Sequence, residues 1–195
     1  MTAKREITRA DILDIADYEK IRKENKQKLI AIKKDRRIPI GPFATFYFEN
    51  YDTMWAQIHE MLYIERGGEE QITDELAAYN PLIPNGSELV ATFMIEIDDP
   101  VRRDFTLRQL GYVEDMIYLS VGGEKSKAVP EQDVERTTED GKTSAIHFLH
   151  FPLSDSQKTA LANEGTEVVL GIEHDHYGHM ARLGEASRAA LALDL

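Results

Sequence analysis

No cysteine occurs in the 195 residues of this chain. That excludes disulfides, thiolate nucleophiles, Cys-ligated zinc and any iron–sulfur cluster held by the chain itself. Long apolar runs are missing too. The longest, around Leu89–Ile97, is interrupted by Thr92 and falls far short of the ~20 residues a membrane-spanning helix needs. The opening residues Met1-Thr2-Ala3-Lys4-Arg5-Glu6 lead into a charged stretch without the apolar centre of an export signal. A cytoplasmic protein with no membrane partner is therefore expected. No Walker-type loop, G-x-G-x-x-G or G-x-S-x-G is present, so none of these phosphate-cradling or nucleophile-elbow motifs indicates an activity.

Positive charge is also in deficit: 23 Lys and Arg stand against 35 Asp and Glu, a net charge of −12. The imbalance is uneven. Residues 1–40 carry twelve basic and seven acidic side chains, +5; residues 41–195 carry eleven and twenty-eight, −17. An acidic body argues against nucleic-acid binding, which needs cations to neutralise phosphates. The basic stretch Lys20–Arg37 has no interleaved aromatics and reads either as a helix packed on the acidic body or as a docking surface for an acidic partner.

Hydrophobic periodicity divides the chain. Ile7–Arg37 reads as helix, either continuous or broken near Ala16-Asp17-Tyr18 with Asp17 as a candidate N-cap, and Ile38-Pro39-Ile40-Gly41-Pro42 ends it. Phe43–Glu49 alternates as a short strand. Helices follow over Thr53–Arg66, capped by Asp52, and over Glu69–Tyr79. From Leu89 the order is strand, helix, strand, a polar excursion over Gly122–Lys142, then strand, helix, strand, with a last helix over His179–Leu193. Ser154-x-x-Gln157 is a capping box. This order is that of a ferredoxin-like βαββαβ sheet over about residues 88–174. The expected class is thus α+β, one domain over residues 1–195. Its mainly helical part, 1–84, would pack on a sheet part, 85–195, that ends in a C-terminal helix.

Half of the six histidines fall in Glu173-His174-Asp175-His176-Tyr177-Gly178-His179. At a strand-to-helix corner, His174 and His176 would share one face of the strand and His179 would return from the turn. Imidazole is the commonest metal ligand. His174, His176 and His179 are therefore the candidate metal site, for Zn or Fe, with Glu173 or Asp175 supporting. The alternative is a polar turn in which one histidine caps a helix and another packs. His147 and His150 lie on opposite faces of their strand. His59, between Trp55 and Tyr63 on its helix, reads as structural. Glu65 shares the stripe of Ile58 and Met61, and a carboxylate there wants a partner, such as Arg36 or Arg37. Glu60 follows His59 directly and completes neither a Glu-x-x-His di-iron pattern nor an H-E-x-x-H zinc motif. No catalytic residue set can be named.

A longer pattern runs through the chain. It includes Arg36-Arg37-Ile38-Pro39-Ile40-Gly41, Phe48-Glu49-Asn50, Thr53-Met54, Gln57, Glu60-Met61 and Glu65. It continues in Glu75-Leu76, Tyr79-Asn80-Pro81-Leu82-Ile83-Pro84, Glu88-Leu89, Ala91-Thr92 and Ile95-Glu96-Ile97, and closes with His174, Tyr177 and Leu191-x-x-Asp194-Leu195. These residues resemble the bacterial domain-of-unknown-function family numbered thirty-five-oh-one. Genes of that family tend to sit beside those of rubrerythrin-like and iron–sulfur oxidoreductase proteins. The resemblance therefore implies a redox or oxidative-stress setting with partners of those kinds. Where the family pattern has proline after the position of His174, this chain has Asp175-His176. Three readings of function follow: an accessory or binding protein of a redox system that can hold metal, a metal-dependent enzyme using the C-terminal histidines, or a sensor of a small ligand.

Overall fold

In a computed structural model of the chain, which describes residues 4–131 and 136–195, two antiparallel sheets face each other and helices cover one outer surface. Helix α1 spans Ile15–Lys34. Strands β1 (Arg37–Ile40) and β2 (Ala44–Phe48) follow, then helices α2 (Tyr51–Glu65) and α3 (Gly68–Tyr79). Strand β3 is Glu88–Ile95, helix α4 Pro100–Gln109 and strand β4 Ile117–Val121. Strands β5 (Glu124–Lys127), β6 (Val129–Pro130) and β7 (Ile146–Pro152) come next. The chain closes with α5 (Asp155–Ala162), β8 (Val168–His174), β9 (Tyr177–Arg182) and α6 (Glu185–Ala192).

The α+β class and the C-terminal helix are as the sequence predicts. The strand arrangement is not a single ferredoxin-like sheet. One sheet has the order β1-β2-β3-β7-β6 and the other β5-β4-β8-β9. The first and third strands of the predicted unit, β3 and β7, are neighbours, but they run antiparallel, with Ala91 opposite Leu149 and Phe93 opposite His147. The second and fourth, β4 and β8, pair with each other in the second sheet, Leu119 opposite Leu170. A helix crossover returns the chain parallel to its start. Here the chain after α4 crosses to the opposite layer and builds β4 and β5 before it comes back.

Two cores result. Phe46, Phe93, Leu149 and Phe151 from the first sheet meet Leu119, Leu170 and Ile172 from the second. On the outer face of the first sheet, Val90 and Phe148 meet Met54, Ile58 and Leu62 of α2 together with Ile7, Ile12, Leu82 and Ile83. Strand β3 is covered on both faces, which is why Leu89-Val90-Ala91 is an unbroken apolar run.

Local differences have local causes. Ile38-Pro39-Ile40 forms a strand rather than a helix terminator, since Ile38 and Ile40 alternate into the core while Arg37 and Pro39 stay outside. Helix α2 is capped by Asn50, two residues before Asp52: the Thr53 N–H donates to Asn50 Oδ1 at 3.0 Å, and the Asn50 N–H donates back to Thr53 Oγ1 at 2.9 Å. Asp14, not Asp17, precedes α1. The Ser154–Gln157 capping box forms as expected. The excursion over 122–142 holds β5 and β6; its residues 132–135 lie outside the described residues. Among the described residues no helix is long and apolar enough to cross a membrane.

Candidate functional site

The histidine motif is a β-hairpin, not a strand-to-helix corner. His174 pairs with Tyr177 and Ile172 with His179, leaving Asp175-His176 as the two-residue turn. The segment 177–182 alternates buried Tyr177 and partly buried His179 and Ala181 with exposed Gly178, Met180 and Arg182. The same residues satisfy a helical spacing through Met180 and Leu183, and pairing with β8 decided for the period of two.

The hairpin separates the three imidazoles. His174 directs Nε2 to the Gly111 carbonyl at 3.3 Å, and its Nδ1 accepts the His176 N–H at 3.2 Å. The His174 and His176 rings lie 5.9 Å apart. His179 instead stacks on Tyr177, with 4.4 Å between ring centroids. Among the described residues no three His, Asp or Glu side chains converge as a metal set. The expected centre of His174, His176 and His179 is therefore not assembled, because two members are spent on the turn and the third on packing.

Tyr177 accounts for what the hairpin does. Its hydroxyl donates to the Ile40 carbonyl at 2.8 Å and accepts the N–H groups of Phe43 and Ala44, each at 3.2 Å. It thereby satisfies the backbone of the β1–β2 turn and ties the two sheets where β1 and β9 meet. Gly41 sits in that turn at φ +64°, where a Cβ would lie 2.6 Å from both the Tyr177 hydroxyl and the His179 ring. Only glycine meets both demands.

The other titratable residues are mostly structural. His59 is buried, donates from Nδ1 to the Trp55 carbonyl at 2.7 Å and accepts the Leu13 N–H on Nε2 at 3.1 Å. Both ring nitrogens are thus committed in the neutral tautomer, and burial pushes its pKa down. His147 and His150 do face opposite sides of β7. His150 lies between two carboxylates, with Nδ1 3.0 Å from Glu88 and Nε2 2.8 Å from Glu131.

The pair predicted for Glu65 does not form. Glu65 is exposed and accepts a hydrogen bond from Gln71 at 2.9 Å. Helix α2 is covered on two sides, by the sheet and by α1, so Glu60 is the carboxylate that meets a cation. Arg22 donates to it from Nε at 2.8 Å and Nη2 at 2.7 Å, Tyr18 adds a hydroxyl at 2.8 Å, and Lys26 stands 3.3 Å away. The Arg22 contact holds the Glu60 carboxyl down at about 2. Arg36 finds Asp194 instead, through two hydrogen bonds of 2.7 and 2.8 Å, with both side chains under 8% exposed. No local pattern could join residues 158 positions apart.

The basic helix builds the feature with the most evident binding chemistry. Along the C-terminal half of α1, Lys26, Leu29, Ile30, Lys33 and Lys34 face Arg37, Pro39 and Tyr47 of the first two strands across a groove of about 720 Å³. Ile30 is 72% exposed there. Arg37 lies over the Tyr47 ring, 5.2 Å from its centroid, and 3.6 Å from Glu96. Lys34 has no carboxylate partner among the described residues. The groove therefore offers an apolar floor rimmed by cations on a protein that is otherwise strongly acidic. The sequence marks the lysines; the floor supplied by Pro39 and Tyr47 needs the strands in place.

Fold and groove together define an α+β protein of two facing antiparallel sheets, flanked by a helix that carries a cationic, partly apolar surface. The chain belongs to the family described as "Protein of unknown function (DUF3501)", whose profile matches residues 6–195. It is similar to a crystal structure described as a novel protein of unknown function from Burkholderia pseudomallei K96243. The two share 40% identity and a TM-score of 0.90 over 97% of this chain and 98% of that one. No curated protein matches the chain.

Proposed function

We propose that this protein is a cytoplasmic, non-catalytic accessory protein of a redox or oxidative-stress system, and that it works by holding an acidic, partly apolar segment of a partner in the groove between α1 and the β1–β2 pair. The observation that carries the reading is the groove itself, where Lys26, Lys33, Lys34 and Arg37 rim the exposed Ile30 and the ring of Tyr47. Cations at the rim steer an acidic partner and set its register, while the apolar floor supplies contact area. The remainder of the chain is acidic and repels the same partner elsewhere, so charge selects this face. Rubrerythrin-like and iron–sulfur oxidoreductase proteins are the partner class to which the family resemblance points.

Fluorescence anisotropy with a labelled model peptide that alternates glutamates with leucines tests the groove. Lys34→Glu is expected to weaken binding about tenfold, and Ile30→Gln to weaken it as well. Added salt should lower affinity, since exposed charges are screened over roughly 8 Å at physiological ionic strength. Equal affinity for wild type and both variants refutes the groove. A purified rubrerythrin-like protein, encoded beside a gene of this family, is tested in parallel. Binding of the peptide without binding of that protein keeps the groove and removes the redox assignment.

A further inference from the structure

Away from the groove, one buried pair has polar atoms that nothing satisfies. Glu114 lies on the single 3₁₀ turn Val113–Met116 that leads into β4 of the second sheet, and His147 lies on β7 of the first. Both side chains are enclosed, His147 completely. His147 Nε2 is 2.9 Å from the Ser144 carbonyl and 3.3 Å from Thr143 Oγ1. A carbonyl only accepts, so Nε2 carries the hydrogen, and in the neutral ring Nδ1 is then a bare lone pair. That Nδ1 stands 3.6 Å from Glu114 Oε2, and neither atom has any other hydrogen-bond partner.

Two buried lone pairs that face each other repel, at a cost in free energy. A single proton between them turns the contact into a hydrogen bond and leaves the pair neutral overall, whether it is written as acid and imidazole or as carboxylate and imidazolium. Two charged neighbours act on the pair, and each disfavours the ionised form of one member. From the turn, Asp115 is like-charged to Glu114 and disfavours its ionised form. From the segment before β7, Arg136 disfavours a charged His147. Thr137 and Thr143 bring hydroxyls that bond to each other at 3.3 Å and to the Glu114 carboxyl, where they oppose the effect of burial, and β3 brings the apolar ring of Phe93, 5.7 Å from the imidazole centroid.

We infer that Glu114 and His147 share one buried proton and that this proton is a pH-sensitive staple between the two sheets, released as the surroundings become alkaline. Burial acts in the same sense on both groups, raising the Glu114 pKa and holding His147 near 4. Both effects favour the uncharged form of each group, an acid beside an imidazole. In the unfolded chain at pH 8 neither group holds a proton, because the free values are about 4.3 and 6.5. Folding at that pH therefore takes up one proton at this pair. Loss of it leaves a buried carboxylate facing a lone pair and loosens the start of β4 from β7.

The test is an NMR titration of the full chain, following the carboxyl carbon of Glu114 and the ring nitrogens of His147, together with unfolding free energy against pH. One proton on the pair from pH 6 to 8 is expected, with Nε2 always protonated. Wild type should take up close to one more proton on folding at pH 8 than Glu114→Gln, whose amide donates to Nδ1 without titrating. An ionised Glu114 with an ordinary midpoint beside a singly protonated His147 at pH 7 overturns the inference. The wild-type titration uses no variant and decides even where Glu114→Gln does not fold.

Discussion

Replacing Asp194 by alanine is expected to cost about 3–5 kcal/mol of stability, although the residue is second from the end of the chain. Terminal residues ordinarily fray and tolerate change. Here the carboxylate takes two hydrogen bonds from Arg36, at 2.7 and 2.8 Å, and that guanidinium also donates to the Ala190 carbonyl at 3.0 Å. With both partners nearly closed off from water, removal of the carboxylate strands a buried cation. That loss, rather than the attraction of the pair, sets the magnitude. A loss of about 4 kcal/mol in a chain of this length lowers Tm by about 8–16 °C. Urea unfolding at pH 7 measures it, with Glu69→Ala as the control, because the Arg9–Glu69 pair is exposed and should be nearly silent. The double variant Arg36→Met/Asp194→Leu should recover most of the loss, since two apolar side chains replace both charges. If Asp194→Ala unfolds within about 1 kcal/mol of wild type, the burial argument is wrong.

Two further outcomes follow from hydrogen bonds that the fold completes. The Glu88 contact, joined by Glu131, raises the His150 pKa above its ordinary value against the opposing effect of burial. Its stabilisation is therefore fully present below the unfolded value of about 6.5 and is lost as pH rises through the folded one. His150→Gln should remove that part of the slope of stability above about pH 6.5, and an unchanged slope would contradict the clamp. Tyr177→Phe should cost about 3 kcal/mol by leaving the Ile40 carbonyl and the Phe43 and Ala44 N–H groups without their partner; thermal melts in which the variant matches wild type would show that the hydroxyl is not what holds the β1–β2 turn.

Periodicity and local chemistry made much of this protein readable from its residues. Alternation in Leu89–Ile97, the capping box at Ser154 and the stop at Gly67-Gly68 all depend on neighbours within a few positions, and each names the element that forms. The opposite facing of His147 and His150 follows from parity alone, and the structural role of His59 from its place beside Trp55. The basic character of α1 was likewise plain, because charge is a property of composition. What the residues could not declare was partnership. Whether Tyr177–Arg182 becomes strand or helix depends on the edge of β8 beside it, for its spacing satisfies both periods. The division of four strands between two sheets depends on where the chain after α4 crosses, and no local pattern carries that direction. Glu60 rather than Glu65 meets a cation because α1 lies against α2, and Arg36 reaches Asp194 because α6 brings the end of the chain to the first strand's approach. The groove joins both halves of this account: its lysines are written in one helix, while Pro39 and Tyr47 become its floor only when β1 and β2 pair and turn their outer side chains toward that helix.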